Sequence, residues 1–131
     1  MSRLFEKSII NGMSLDNRLV RSATWEGMCD PDGRPSQKLV DLYREIAQGG
    51  IGLLVTGYAF VRPDGKALPH QMGIHEDGLE AGCRKLVGAV HAEGGKIAIQ
   101  MAHGGGQSAS AISGLRPLAP SAVKLELFPE I

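Results

Sequence analysis

The sequence predicts an α/β fold built on parallel strands, and three observations carry that prediction. Two passages run from an amphipathic helical pattern through a glycine pair into a short apolar strand, with glycine pairs beginning at Gly49 and Gly94. Their separation suits successive β/α units, although the two share too few side chains to indicate duplication. Between them, Ile51-Gly52-Leu53-Leu54-Val55-Thr56 is apolar at successive positions, as expected of a parallel strand covered on both faces.

A length of 131 residues, 43% of them hydrophobic and 21% charged, is that of one ordinary globular domain. Fourteen basic and fourteen acidic side chains cancel, so no long-range field draws nucleic acid or an anionic membrane surface, and a small-molecule or protein partner is expected. Cys29 and Cys83 fall in no CxxC or CxxH spacing, which gives no zinc site or disulfide framework and fits a reducing cytoplasm. Met1 leads into Ser-Arg-Leu-Phe-Glu-Lys without an apolar core, and no apolar run approaches 18 residues. A cytoplasmic protein without signal peptide or membrane span is the expectation.

In chain order, Asn11-Gly12 between apolar residues predicts a hairpin with a type I′ turn. Asn17–Ala23 reads as a short strand, followed by a loop carrying Trp25 and Glu26 and by the turn Asp30-Pro31-Asp32-Gly33. Ser36 caps a helix with Leu39, Leu42, Tyr43 and Ile46 at helical spacing, closed by Gly49-Gly50. The strand Ile51–Thr56 and the polar loop Arg62-Pro63-Asp64-Gly65 follow. A second helix starts near Glu76-Asp77, with Leu79, Cys83, Leu86, Val87 and Val90 on one face and Gly94-Gly95 at its end. The next strand is Lys96–Met101. From His103 to Pro120 the Gly, Ser, Ala and Pro content predicts a long functional loop rather than a helix.

In parallel β/α folds ligands bind beyond the C-terminal strand ends, which selects Ser22 to Glu26, Thr56 to Tyr58 and Gln100 to Gly106. Gln100 offers two donors and an acceptor, and Gly57 permits close backbone approach, so the patches suit a planar hydrogen-bonding heterocycle. Equally, Gln100 can bond a neighbouring backbone and Gly57 can merely relieve packing. Gly104, Gly106 and Ala109, with Glu126 further on, fit a dinucleotide fingerprint, but Pro117 and Pro120 argue against the helix it must open. His70, His75, His91 and His103 show no metal-ligand spacing. His103 is either a substrate contact or a loop-fixing residue. Trp25 is either a lid or a core aromatic, and a lone tryptophan favours the core.

Leu4-Phe5, the Asn11-Gly12 hairpin, Asn17-Arg18-Leu19-Val20, Arg21-Ser22-Ala23-Thr24, Gly50–Thr56, Pro63-Asp64-Gly65 and Ile99-Gln100-Met101-Ala102-His103 occur in one order along nearly the whole chain. In these the chain resembles the N-terminal part of the old yellow enzyme family of FMN-dependent NAD(P)H:flavin oxidoreductases and ene-reductases. The resemblance implies residues 1–131 as the N-terminal portion of a single FMN-binding TIM-barrel domain: the hairpin plus about three β/α units of a (β/α)₈ barrel, the remainder absent.

It implies FMN contacts from Ala23, Thr24, Gly57 and Gln100, with Gln100 on the pyrimidine part of the ring, and NADH or NADPH as hydride donor. The reaction implied is hydride delivery to an activated alkene such as an α,β-unsaturated carbonyl compound. The chain departs from the pattern at Trp25, where many members carry threonine or cysteine, and at Gly106, where arginine is common. A truncated piece of this kind is expected to be inactive alone, and the full-length form to be a homo-oligomer. The other readings are a non-catalytic module assembling through exposed strand edges and a small Rossmann-type nucleotide binder.

Overall fold

The computed structural model describes residues 3–122, so Glu126 and the closing stretch 124–131 lie outside the described residues. After a 3₁₀ turn at Arg3–Phe5, β1 (Ser8–Ile10) and β2 (Met13–Leu15) form an antiparallel hairpin with Ile9 opposite Ser14. Asn11 and Gly12 at its tip have φ of 43° and 87°, both positive as a type I′ turn requires. There follow β3 (Val20–Arg21), α1 (Gln37–Gln48), β4 (Leu53–Val55), β5 (Ala59–Phe60), α2 (Glu80–Ala92), β6 (Ile97–Ala98), β7 (Met101–Ala102) and the single turn α3 (Ser110–Ser113).

The sheet order is β3-β4-β6, all parallel, with Arg21 opposite Leu54 and Leu54 opposite Ile97. Strands β5 and β7 pair in parallel beyond them, Ala59 opposite Met101. The predicted strand Lys96–Met101 is thus two strands, broken at Ile99 and Gln100. The Gln100 N–H donates to the Thr56 hydroxyl at 3.2 Å, a side chain standing in for a ladder carbonyl, and Ala59 N–H resumes the ladder at Gln100 O, 2.8 Å away. Strand β3 is shorter than the predicted Asn17–Ala23. Asn17 accepts from Leu19 N–H at 3.0 Å and donates to Gly50 O at 2.7 Å, a local turn that competes with extended pairing.

Ser36 caps α1 as predicted, its hydroxyl accepting from Leu39 N–H at 3.3 Å, and Gly50 leaves the helix at φ 77°. The fully buried stripe is Leu39, Val40, Tyr43 and Ala47, with Leu42 and Ile46 only partly covered. Helix α2 starts later than predicted, because a 3₁₀ turn at Asp77–Leu79 precedes it, and it buries Leu86, Ala89 and Val90 while Cys83 is half-buried. The two helices pack together on one face of the sheet, closing a core around Leu39, Val40, Tyr43, Leu54, Leu86 and Val90.

The expectation that β4 is covered on both faces does not hold among the described residues. Leu54 is 0% exposed against the helices, whereas Leu53 and Val55 are half-buried, and Val20, opposite Leu53, is 49% exposed. The predicted irregular loop after His103 contains a 3₁₀ turn at Gly105–Gln107 and the short α3, ended by Gly114 at φ 72°. No helix among the described residues is long and apolar enough to cross a membrane.

Two glycines give opposite expectations. A Cβ at Gly52 would lie 2.5 Å from Asn17 O, so Gly52→Ala is expected to destabilise by about 2 kcal/mol or more. A Cβ at Gly88, inside α2, meets nothing within 4 Å, and Gly88→Ala is expected to stabilise by about 0.5–1 kcal/mol. Denaturant unfolding of the two variants checks both signs.

Candidate functional site at the C-terminal strand ends

Strands β3, β4 and β6 run parallel and adjacent, so the residues after them share one edge of the sheet. Thr24 and Gly57 touch there, since a Cβ at Gly57 would lie 2.7 Å from Thr24 O, and Thr56 meets Gln100 through the hydroxyl bond already described. Four of the predicted residues, Ala23, Thr24, Gly57 and Gln100, therefore form a row along that edge. Their hydrogen bonding differs. The peptide groups of Ala23 and Thr24 and the side-chain amide of Gln100 make no hydrogen bond among the described residues, and Gln100 is exposed. The Thr24 hydroxyl donates to Ser22 O at 3.2 Å.

Gly57 is buried and its N–H donates to the Tyr43 hydroxyl at 2.9 Å. That hydroxyl donates to Glu26 Oε1 at 2.6 Å, and Arg21 Nη2 donates to the same oxygen at 2.6 Å. Arg21 Nη1 reaches Val55 O at 3.1 Å, and its guanidinium lies 5.5 Å from the centre of the Tyr43 ring, a cation–π distance. Burial, then the bond to Glu26, holds the Tyr43 phenol well above its ordinary value, so it stays a donor. Sequence reading missed this network, because Tyr43 sits in the apolar stripe of α1 and reads as core. The available signal was an arginine and a glutamate bracketing the strand end at 21 and 26.

Trp25 is not a core aromatic. It is 41% exposed, and its indole N–H donates to Pro69 O at 3.2 Å. His70, at φ 52°, reinforces the same junction through its Nδ1 against Cys29 O at 2.8 Å and through Cys29 N–H to His70 O at 3.2 Å. Burial, then the nearby Glu26 charge, pushes the Cys29 thiol up to about 12, which removes it as a nucleophile at neutral pH.

His103 lies in a second cluster. Its Nδ1 accepts from Gly105 N–H at 3.0 Å, which puts the ring proton on Nε2, 3.4 Å from Asp64 Oδ1. Arg62 grips the same carboxylate with two bonds of 3.1 Å. The predicted polar loop is thus a 3₁₀ turn with Asp64 and Gly65 buried under the imidazole, and Gly65 has no room for a Cβ there. The first glycine of the triplet packs as well: a Cβ at Gly104 would lie 2.5 Å from Ser108 Oγ, and its N–H donates to Gly65 O. A dinucleotide fingerprint must open a full helix. The 3₁₀ turn and one helical turn found here do not supply one, so the Rossmann reading fails.

Against known proteins, residues 3–125 match the model of the NADH:flavin oxidoreductase / NADH oxidase family. The chain belongs to this family. It is 37% identical over 122 residues to an NADH oxidase of Thermoanaerobacter brockii, covering 92% of this chain and 19% of that protein. A 4,4'-dithiodibutanoate disulfide reductase of Rhodococcus erythropolis is 35% identical, with 90% and 29% covered. Among solved structures, morphinone reductase in complex with tetrahydroNAD superposes with a TM-score of 0.85 at 32% identity, over 96% of this chain and 34% of that one. The old yellow enzyme homologue of Zymomonas mobilis gives 0.87 at 26% identity, over 94% and 34%. The chain thus spans between a fifth and a third of these relatives. Members of the family are oxidoreductases that use FMN and a nicotinamide nucleotide.

Asp64 supplies a pH signature. Burial opposes its ionisation, but the Arg62 bonds and charge and then His103 outweigh it and hold the carboxyl below its ordinary value. A depressed folded value adds stability above the unfolded value, about 4, and that stability is lost as pH falls through the folded one. The stability gap between wild type and Asp64→Asn is therefore expected to be full at pH 6 and to narrow below about pH 4. Urea unfolding across pH reads it, and a gap that is constant or widens in acid contradicts the assignment.

Proposed function

We propose that residues 1–131 form the N-terminal portion of a (β/α)₈ FMN-binding barrel, and that the row at the ends of β3, β4 and β6 contributes the protein side of a flavin ring site. The reaction proposed for the whole protein is hydride transfer from NADH or NADPH to an activated alkene such as an α,β-unsaturated carbonyl compound. The observation that carries the ring site is the unspent polarity of the row: the Ala23 and Thr24 peptide groups and the Gln100 amide have no partner among the described residues. Polar groups that fold without partners stay available for a ligand.

The donor set fits the cofactor. Gln100 supplies donors and an acceptor together, as the mixed edge of a flavin pyrimidine requires. Gly57, its N–H committed to Tyr43, serves by letting the Thr24 carbonyl approach. FMN, when bound, supplies the hydride chemistry. Gln100 and the Ala23 peptide would hold and orient the ring, their donors favouring negative charge on it. No general acid is assigned among these residues.

Titration of the chain with FMN, followed by quenching of flavin fluorescence, tests the reading. Loss of one hydrogen bond costs about 0.5–1.5 kcal/mol, so Gln100→Ala is expected to weaken binding up to about tenfold at unchanged thermal stability. No binding by the wild type at millimolar FMN, or equal binding by the variant, would overturn it.

A further inference from the structure

We infer that Glu26 is a positioning residue: with Arg21 and Tyr43 it clamps the segment 22–25 and Gly57 into one ligand-facing surface. This rests on the flavin reading above and goes beyond it, because none of the three clamp residues belongs to the row itself.

The geometry is that of a closed ring. Arg21 ends β3, Glu26 follows five positions later, and their side chains meet at 2.6 Å. The intervening Ser22-Ala23-Thr24-Trp25 is therefore fixed at both ends, with the loss of freedom that closing a short loop imposes. The same Glu26 oxygen accepts from Tyr43 on α1, and Tyr43 accepts from Gly57 after β4. Arg21 also holds Val55 O. One carboxylate thereby joins two strand ends and a helix. Its side chain is only 9% exposed and that of Arg21 19%, so water competes little and the charge-assisted bonds keep their strength.

Among the described residues nothing else secures this segment as firmly from inside. The Ala23 and Thr24 peptides have no partners of their own among the described residues, and the Thr24 hydroxyl bonds locally to Ser22 O. Trp25 ties the outer side to Pro69 O at 3.2 Å while 41% exposed. Gly57 is also the required residue at the clamp, because a Cβ there would run into Glu26 Oε2 and lie 2.7 Å from Thr24 O. The ring-facing peptides are thus held rigid by groups behind them and stay free to bond outward, which is how preorganisation preserves affinity.

The test compares the wild-type chain with Glu26→Gln and with the double variant Arg21→Met/Glu26→Met, which strands no charge if the single variant folds poorly. Two measurements are made on each: backbone ¹⁵N order parameters and the FMN dissociation constant. The clamp predicts that order parameters of Ala23 and Thr24 fall from about 0.85 toward 0.6, that those of α2 stay unchanged, and that FMN binding weakens at least tenfold. Gln100→Ala is the control, expected to weaken FMN binding with the order parameters of 22–25 intact. Unchanged order in both Glu26 variants overturns the clamp, and lowered order with unchanged FMN affinity overturns its positioning role. A wild type that binds no FMN while its segment 22–25 is ordered overturns the flavin reading instead, and the positioning role with it.

Discussion

A carboxylate with 9% of its side chain exposed is costly to bury, by several kcal/mol unless paired and hydrogen-bonded. Glu26 meets both conditions in one place, accepting from Arg21 and from Tyr43 on the same oxygen. Removing any one partner leaves a buried polar group without its complement, so the three are locked together more strongly than three separate bonds would be. The consequences run outward through the fold. Helix α1 is anchored to the sheet through a polar contact at the C-terminal strand ends as well as through Leu39, Val40 and Leu54 below it, and β3 and β4 are held at one relative height beyond their ladder. The two-residue β3 is too short to fix that height by pairing alone.

The second cluster does similar work one strand further along. Asp64, held by Arg62 and facing the His103 Nε2 proton, fastens the turn after β5 to the segment after β7, with Gly65 and Gly104 allowing contact that no side chain would permit. In each cluster a carboxylate with 9% of its side chain exposed is held by an arginine. Along the same edge lies the row, in which the Ala23 and Thr24 peptide groups and the Gln100 side-chain amide have no partner among the described residues. Scaffold groups are satisfied internally and these three are not, which is the division expected where rigid elements present a site.

Local signals made the elements legible. Asn11-Gly12 specified its turn, Ser36 its cap and the two glycine pairs their helix ends, because each acts through backbone geometry within a few residues. Parallel order followed from the alternation of helix and strand. The errors came where a distant group decides the outcome. The break at Gln100 depends on the Thr56 hydroxyl, 44 positions away, and the burial of Asp64 on His103 and Arg62. The half-buried faces of β4 depend on what covers that side of the sheet. Gln100 and Gly57 were legible as site candidates from strand-end position alone, whereas Tyr43 looked like core because an apolar stripe conceals a hydroxyl that reaches past its end.

The central claim is that the row at the ends of β3, β4 and β6 faces a flavin. Its most direct test is a ¹H–¹⁵N map of the chain during addition of FMN. The account predicts that the Gln100 side-chain amide and the peptide groups of Ala23, Thr24 and Gly57 shift together and saturate, while the hairpin Ser8–Leu15 at the other end of the strands stays in place. Saturable shifts centred on Gly50, Gly52 and Gly94 at the N-terminal strand ends, with the row unmoved, would contradict it.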